Sequence, residues 1–250
     1  MALLWREQCD GVLYEVRRHG GTLRLFANGI QHSEFHPDRL VTGSVWDLLW
    51  LPVLFDEPDR YRRILVLGLG GGSLIAPLLT LCQPESIVAV DRDPRHIHVA
   101  REFFSVAGAG VSCHCADAVE FVRHWDGEPF DLVIEDLFAP ADRSVSRAVP
   151  ASGRWLGQLG KLVSRDGMLV MNFGDWAEYR ESWASGERAL RGWNGRFRFA
   201  TPDCHNAVLA FRRRPGDSAA LRARIKGHEL LAGELARGRL DYTVRDVSRV

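Results

Sequence analysis

The pattern of apolar and polar positions changes its character after residue 50. Before that point, VLYEVRR (12–18) and TLRLFA (22–27) alternate around His19-Gly20-Gly21, which predicts a β-hairpin, and NGIQHS (28–33) can begin a third short strand. From residue 38 to residue 55 the apolar positions take a helical spacing. Residues 1–50 therefore predict a small β-rich subdomain that leads into the start of a helix.

From residue 63 onward, continuous apolar runs alternate with amphipathic segments. The runs predict strands at 63–68, 86–91, 110–115, 130–136, 167–173, 196–200 and 206–212, and the segments between them predict helices at 73–81, 94–106, 117–125, 152–164 and 176–190. Strands that are apolar on both faces indicate a mostly parallel sheet covered by helices on both sides. We therefore expect a doubly wound α/β domain over residues 51–214, followed by a helical tail over 215–250 with an amphipathic helix at 217–237.

Ligands of such sheets bind at the carboxyl ends of the strands, where this chain places glycines and acids. LGLGGGS (67–73) joins the first strand to its helix, and glycine there allows a tight turn and close approach of a ligand. Asp91 ends the next strand, where an acid can bind both hydroxyls of a ribose. We expect Asp93, directly before Pro94, to cap the following helix. Asp117 follows the third strand and can either cap a helix or face an adenine.

The stretch FDLVIEDLFAP (130–140) ends an apolar strand in two carboxylates, Glu135 and Asp136. Adjacent strand residues point to opposite faces, so we expect Asp136 to face the cleft and Glu135 to face away from it. A carboxylate in a cleft can bind an ammonium group, orient it and help to remove its proton. The alternative is a structural acid that forms a cap or a salt bridge at the strand end.

Composition narrows the classes of partner. Lys and Arg number 32 and Asp and Glu number 32, so the charge of the whole chain does not indicate nucleic acid or an acidic membrane as a partner. The five cysteines are scattered, and Cys113-His114-Cys115 has no second pair at a zinc-like spacing, so no metal site is expected. The N-terminus does not read as a signal peptide, and the most apolar stretch (46–55) is too short to cross a bilayer. We expect a cytoplasmic protein with reduced thiols.

Five motifs in order resemble those of the spermidine synthase (polyamine aminopropyltransferase) family, over residues 10–213. NGIQ (28–31) resembles the family's DG-x-Q, RILVLGLGGG (63–72) its VLVIGGGDGG, VAVDRDP (88–94) its V-x-V-E-x-D-P, CADAVEF (115–121) its GDA-x-x-F, and FDLVIEDLFAP its YDVIIxDSSDP. The resemblance implies the Rossmann-like class I methyltransferase fold with a small N-terminal β-hairpin domain.

The resemblance also implies a cofactor of the S-adenosylmethionine type, decarboxylated for aminopropyl transfer, with no metal. It further implies a small-molecule amine acceptor and a homodimer through the N-terminal β-domain. It places Asp91 on the ribose, Asp117 near the adenine amino group and Gln31 over the aminopropyl arm. The residues expected by position in the motifs are Gln31, Gly68, Gly70, Gly71, Gly72, Asp91, Asp117 and Ala118 for the cofactor, Asp136 as the catalytic acid, and His36, Leu137 and Phe138 for the acceptor.

The chain departs from the family where a diamine would bind. Ser73 and Ala139 replace two family acids, and Leu137 and Phe138 replace two serines. The lost acids hold the cationic ends of a diamine, and an ammonium without such a partner is costly to bury. We therefore expect a spermidine synthase-like transferase whose acceptor molecule is not identified by the sequence. The alternatives are a methyltransferase on a less cationic acceptor, which the apolar LFAP segment favours, and a non-catalytic nucleotide-binding or assembly protein.

Overall fold

The computed structural model describes residues 1–106, 108, 110–141 and 144–248. The chain begins with a four-stranded antiparallel sheet in sequential order, made of β1 (Ala2–Cys9), β2 (Val12–His19), β3 (Thr22–Ala27) and β4 (Ile30–Phe35). The hairpin expected from the sequence is β2 and β3. β1 is an additional strand that pairs with β2 from Ala2 opposite Arg18 to Cys9 opposite Val12.

A second, eight-stranded sheet follows helix α1 (Val45–Trp50) and two short 3-10 turns at 51–55 and 58–60. The remaining elements are, in chain order, β5 (Arg63–Leu67), α2 (Ile75–Cys82), β6 (Ser86–Asp91), α3 (Pro94–Phe103), β7 (Val111–Cys115), α4 (Ala118–His124), β8 (Phe130–Glu135), β9 (Phe138–Ala141), β10 (Ser144–Arg147), α5 (Gly153–Leu162), β11 (Val163–Phe173), α6 (Trp176–Glu181), β12 (Gly195–Ala200), β13 (Ala207–Arg212), α7 (Ser218–Gly227), α8 (Glu229–Ala236) and β14 (Thr243–Asp246). None of these helices combines the length and the apolar composition that crossing a membrane requires.

The strand order of the large sheet is β14-β12-β13-β11-β8-β5-β6-β7. The five strands from β11 to β7 pair in parallel, whereas β13 runs antiparallel to β11 and to β12. This arrangement confirms the predicted mostly parallel, doubly wound α/β sheet beside a small N-terminal antiparallel sheet. The chain leaves β5 toward β6 and β7 and then returns to β8 on the other side, so a ligand crevice is expected between β5 and β8.

The apolar runs are continuous because each face of the sheet has its own core. In β5, Ile64 and Val66 lie in the cluster that includes α2 and α3, while Leu65 and Leu67 lie in the cluster that includes α4 and α5. Alternating residues of one strand therefore pack against helices on opposite faces. Both layers hold the carboxyl ends of the strands at one edge.

Three predicted helical segments change conformation within their expected bounds. The segment 38–55 is α-helical only from 45 to 50. It continues as a 3-10 turn from Leu51 to Phe55, where Pro52 has no N–H with which to extend the α-helical hydrogen bonds. The segment 176–190 leaves the α-helix after Glu181 and continues as short 3-10 turns. The tail helix breaks at His228, whose extended backbone separates α7 from α8, and the tail then adds β14 beside β12.

The small sheet is fastened to the glycine loop of the large one. The N–H of Gly71 donates to Ser33 Oγ at 2.6 Å, and the N–H of Glu34 donates to Ser73 Oγ at 2.9 Å. Tyr14 on β2 donates its hydroxyl to Asp93 Oδ2 at 2.5 Å. These three contacts place β2 and β4 directly against the loops that follow β5 and β6.

Candidate functional site

A cavity of about 610 Å³ opens at the carboxyl ends of β5, β6 and β8, against the N-terminal sheet. Its volume is in the range of small-molecule sites, ~300–1,000 Å³. The predicted site residues that line it are Gln31, Gly68, Gly70, Asp91, Asp117, Ala118, Asp136, Leu137 and Phe138. The sequence motifs thus converge on one cavity.

Gly68 and Gly70 hold the loop close to the two acids. Gly68 has a φ of +89°, and a Cβ there would collide with the backbone carbonyl oxygen of Asp136. Gly70 has a φ of +53°, and its N–H donates to Asp91 Oδ2 at 2.8 Å. Gly71 and Gly72 are not among the described lining residues. Their missing side chains let the loop pack against neighbouring residues, with a Cβ at Gly71 falling 2.9 Å from that of Ser33.

Asp91 ends β6 and is held by three donors. Its Oδ2 accepts from Gly70 N–H and lies 3.3 Å from His96 Nδ1, and its Oδ1 accepts from Asp93 N–H at 2.9 Å. Burial alone would raise the pKa of Asp91, but His96 and the backbone donors outweigh burial and hold the pKa below its usual value. Asp91 is therefore a carboxylate at neutral pH. Asp93 caps α3, as predicted, by accepting from Arg95 N–H at 2.9 Å.

Asp117 serves as a helix cap and also lines the cavity. Its Oδ1 accepts from Val119 N–H at 2.9 Å and from Glu120 N–H at 3.0 Å. Because both bonds use the same oxygen, Oδ2 has no hydrogen bond to the described part of the protein. Gln31, on β4, lines the wall built by the N-terminal sheet, and its Nε2 donates to Glu34 Oε2 at 3.3 Å.

Asp136 lies just beyond β8, partly exposed to the cavity. Its Oδ1 accepts from Asn172 Nδ2 at 2.8 Å, and Asn172 Oδ1 in turn accepts from Asn206 Nδ2 at 3.1 Å. Burial raises the pKa of Asp136 to about 6, with a smaller contribution from the charge of Glu135, although the Asn172 hydrogen bond works in the opposite direction. A carboxylate with a pKa near neutral pH can both accept and return a proton during a reaction.

Glu135 points to the other side of the sheet, as strand alternation predicts. It is fully buried, and Arg147 binds its two oxygens at 2.9 and 2.7 Å. Trp155 Nε1 donates to the same carboxylate at 3.3 Å. Because Arg147 ends β10, this ion pair fixes the β9–β10 hairpin, which follows Asp136 and begins with the cavity residue Phe138.

His36 and the two positions that replace family acids are placed differently. His36 is not among the described cavity-lining residues, and its Nδ1 accepts from Asp38 N–H at 3.1 Å. Its role in binding the acceptor therefore stays a prediction. Ser73 lines the cavity and is 6% exposed. Ala139 is not among the described lining residues. It follows the cavity residue Phe138 on β9, and adjacent residues of a strand point to opposite faces.

Several polar and aromatic lining residues were not predicted as site residues, among them Tyr14, His32, Trp46, His96 and Asn172. Asn172 ends the predicted strand 167–173, so the rule that ligands bind at strand ends could have indicated it. Trp46 and Tyr14 come from the N-terminal region, and they reach the cavity only through the docking of the small sheet. His32 and His96 carry no local signal because neither belongs to a recognised motif.

The wall of the cavity is acidic. Among the described lining residues are four aspartates, Asp91, Asp93, Asp117 and Asp136, and one arginine, Arg92. This arrangement favours a cationic ligand, such as a sulfonium or an ammonium. Within the described ranges, no group of three or more His, Cys, Asp or Glu side chains is arranged to hold a metal ion.

Comparisons with known proteins agree with this geometry. The family described as "Methyltransferase domain" matches residues 64–159. A polyamine aminopropyltransferase of Lachnospira eligens is 28% identical over 123 residues, which cover 47% of this chain and 41% of that protein. The matched segments span about half the length of the curated relatives, or less.

Solved structures of other proteins share the fold. A probable spermidine synthase from Corynebacterium glutamicum superimposes with a TM-score of 0.75 at 17% identity, covering 99% of this chain and 92% of that one. Human methyltransferase-like protein 13, in complex with SAH, superimposes with a TM-score of 0.61 at 19% identity, covering 78% of this chain and 91% of that one. These similarities confirm the class I methyltransferase fold, and with the curated relatives they confirm the resemblance inferred from the motifs.

Proposed function

We propose that this spermidine synthase-like chain is an enzyme that transfers the aminopropyl group of decarboxylated S-adenosylmethionine to a small-molecule amine. The observation that carries the proposal is the position of Asp136. Its carboxylate, with a pKa raised to about 6, shares one cavity with the glycine loop and Asp91. An acid that can take up a proton thus lies beside residues suited to a nucleoside.

The described residues fit the adenosyl part of that cofactor. Gly68 and Gly70 line the cavity and let the loop lie against Asp136 and Asp91, and Asp91 is ionised at the end of β6, where ribose hydroxyls are bound in this fold. Asp117 lines the cavity and has one oxygen without a hydrogen bond to any described residue, which suits an exocyclic amino group. The acidic lining favours the positive charge of a sulfonium.

When bound, the cofactor supplies an electrophilic carbon next to a sulfonium: a bond forms from the amine nitrogen to that carbon, the carbon–sulfur bond breaks, and 5′-methylthioadenosine leaves. The protein must bind the acceptor as an ammonium and release a free amine for attack. Asp136 binds the ammonium, orients it and takes up its proton. Asn172 holds one oxygen of Asp136 and leaves the other for the amine.

Mass spectrometry of the products tests this function. The purified protein would be incubated with a panel of amines and either decarboxylated or intact S-adenosylmethionine. The proposal expects products that gain one aminopropyl group, together with 5′-methylthioadenosine, from the decarboxylated form. Products that gain a methyl group from the intact form would replace the proposal with methyl transfer, and absence of both in a protein that binds the nucleosides would indicate a non-catalytic module.

We predict that putrescine is a poor acceptor, with weak saturation, because Ser73 and Ala139 stand where the family has acids for a diamine. Restoring a carboxylate should improve its use only where the new side chain reaches the cavity. Ser73→Asp should therefore lower the KM for putrescine severalfold, whereas Ala139→Asp, outside the described lining, should change it less. Steady-state kinetics on both variants measure this, and an equally low KM in the unmodified protein would contradict it.

We also propose that the protein is a cytoplasmic homodimer. β1 is the edge strand of the small sheet, and its outer edge carries no pairing in the described chain. Leu3 and Leu4 on that strand are 50% and 40% exposed, as expected of residues that a second copy covers. The five cysteines are all free thiols, which suits a reducing compartment. Light scattering at micromolar concentration should give twice the chain mass, and a monomer would contradict the dimer.

A further inference from the structure

The four aspartates of the described cavity lining are unevenly distributed along the edge of the sheet. Asp91 and Asp93 follow β6 and Asp117 follows β7, whereas Asp136 follows β8. In the strand order, β6 and β7 lie on one side of β5, and β8, β11 and β13 lie on the other. Three of the four acids are therefore on the side where the nucleoside is expected.

The strands on the other side of β5 build another part of the cavity, which we call the acceptor half. Its lining comes from the segments that follow β8 and β10, from the end of β11, from the loop between β12 and β13, and from the start of α1. The segments after β8 and β10 lie side by side, because Ala148 N–H donates to the carbonyl oxygen of Leu137 at 2.9 Å. The β12–β13 loop reaches the same edge, because Ala207 at the start of β13 is opposite Phe173 at the end of β11.

Most of the described lining of the acceptor half is apolar. The apolar residues are Val45, Trp46, Leu137, Phe138, Ala148 and Val149. Each of them is partly or fully exposed, so apolar surface is accessible from the cavity. A ligand with an apolar body would remove this surface from water, which favours binding.

The polar groups of the acceptor half are almost all uncharged. They include two amides, Asn172 and Asn206, and the thiol of Cys204, whose pKa is raised by burial so that the thiol stays neutral. Asn172 is 2% exposed, and its amide already donates to Asp136 and accepts from Asn206. Asp136 is thus the one charged side chain that the described lining offers in this half.

One carboxylate can pair with one ammonium group. The second ammonium of a diamine bound at Asp136 would meet apolar side chains or neutral amides, and a charge buried without a partner is costly. The rings of Trp46 and Phe138 attract a cation, but more weakly than a carboxylate does. A methyl group in the place of the second ammonium carries no such cost and gains from burial.

We propose that the acceptor is a primary monoamine with an apolar body, whose ammonium binds Asp136 while the body packs against the apolar side chains of the acceptor half, foremost Leu137 and Phe138. The inference rests on the proposed function for the group that is transferred. The amine nitrogen bonds to the aminopropyl carbon, the carbon–sulfur bond breaks, 5′-methylthioadenosine leaves, and the proton of the amine passes to Asp136. The product is a secondary amine with one aminopropyl arm.

A comparison of pentylamine with putrescine isolates the second charge, because the two chains have the same length and differ by a methyl group in place of an ammonium. With decarboxylated S-adenosylmethionine, the kcat/KM for pentylamine should be at least about tenfold higher than for putrescine. Phenethylamine, which has an aromatic body, should be used at least as well as pentylamine. A kcat/KM for putrescine that equals or exceeds that for pentylamine would overturn the proposal.

Two neighbouring positions on β9 provide a matched pair of variants. Phe138 lines the cavity and Ala139 is not among the described lining residues. Phe138→Asp should raise the ratio of kcat/KM for putrescine to that for pentylamine by about tenfold, because the second ammonium gains a partner. Ala139→Asp adds the same charge one residue away and should keep this ratio within about twofold of its original value.

Phe138→Ala tests the apolar contact without adding a charge to the site. It should lower the kcat/KM for pentylamine and phenethylamine by about fivefold, since apolar contact area is lost, and should change the value for putrescine less. Thermal melting establishes that each variant is folded. If both variants at Phe138 are folded and treat all three amines as the unmodified protein does, the assignment of the acceptor half is wrong.

Binding measurements separate this inference from the proposed function. Calorimetry would measure the affinity of each amine for the protein saturated with 5′-methylthioadenosine. If pentylamine binds more tightly than putrescine but no aminopropyl product forms, the proposed function fails and the acceptor class stands. If aminopropyl transfer occurs with putrescine preferred, the proposed function stands and the acceptor class fails. Absence of both binding and transfer for every amine would also overturn the acceptor class.

Discussion

Asp136→Asn is expected to lower turnover by about 10²–10⁴-fold, the usual range for removing a positioned acid–base group. The substitution keeps the size of the side chain and its ability to accept from Asn172, so the local structure should survive. It removes the charge that binds an ammonium and the oxygen that takes up its proton. Binding of the nucleoside, measured by calorimetry, should change little because its proposed contacts come from Asp91 and the glycine loop.

The pH profile gives this prediction a second readout. The pKa of Asp136 is raised to about 6, so below that pH the group is protonated and cannot accept the proton of the amine. The kcat/KM of the unmodified protein should therefore rise with pH through about 6, and this limb should be absent in Asp136→Asn. Full turnover in the variant would make Asp136 a structural acid at a strand end.

Glu135→Gln is the control on the same strand. The residue is fully buried and paired with Arg147 on the far side of the sheet, outside the described cavity lining. Its replacement leaves the buried Arg147 without its charged partner and weakens the contact that fixes the β9–β10 hairpin, which should cost about 3–5 kcal/mol of unfolding free energy in urea. Turnover should fall much less than in Asp136→Asn, since no group that contacts the amine is changed. A loss of turnover as large as that of Asp136→Asn would instead point to the hairpin.

The central sheet and its two principal acids could be predicted because their signals are local. β5, β6 and β8 are buried on both faces. Each of them therefore consists mainly of consecutive apolar residues, which can be recognised in the sequence. Asp91 and Asp136 follow such runs directly, so the rule that ligands bind at the carboxyl ends of parallel strands placed both at one edge. The structure brings them to one cavity.

The parts that escaped prediction depend on contacts between distant segments. β14 is four residues long, and it is a strand only because it pairs with β12, with Thr243 opposite Ala200. The β9–β10 hairpin depends on a buried ion pair that local propensity does not encode. The bulge at His32 arises from a register shift between β3 and β4, and a side-chain period of two cannot anticipate it.

Asp91→Ala is expected to weaken binding of the adenosyl nucleoside by roughly 2–4 kcal/mol, about 30- to 1,000-fold, because a charged acceptor at the ribose is lost. Part of this loss is indirect. Asp91 also accepts from Gly70 N–H and holds His96, so its removal loosens the loop and the ring.

Asp91→Asn separates the two contributions. An amide oxygen can still accept from one backbone donor, so Gly70 stays held while the charge is lost. Its affinity for the nucleoside should fall between those of the unmodified protein and Asp91→Ala. Asp217→Ala, which removes an exposed carboxylate that accepts a backbone N–H at the start of α7, is the control for losing such a contact away from the cavity and should bind the nucleoside normally. Calorimetry on folded samples measures the nucleoside affinity of each variant. If Asp91→Ala binds as tightly as the unmodified protein, Asp91 only supports the loop, and the ribose contacts lie elsewhere on the cavity wall.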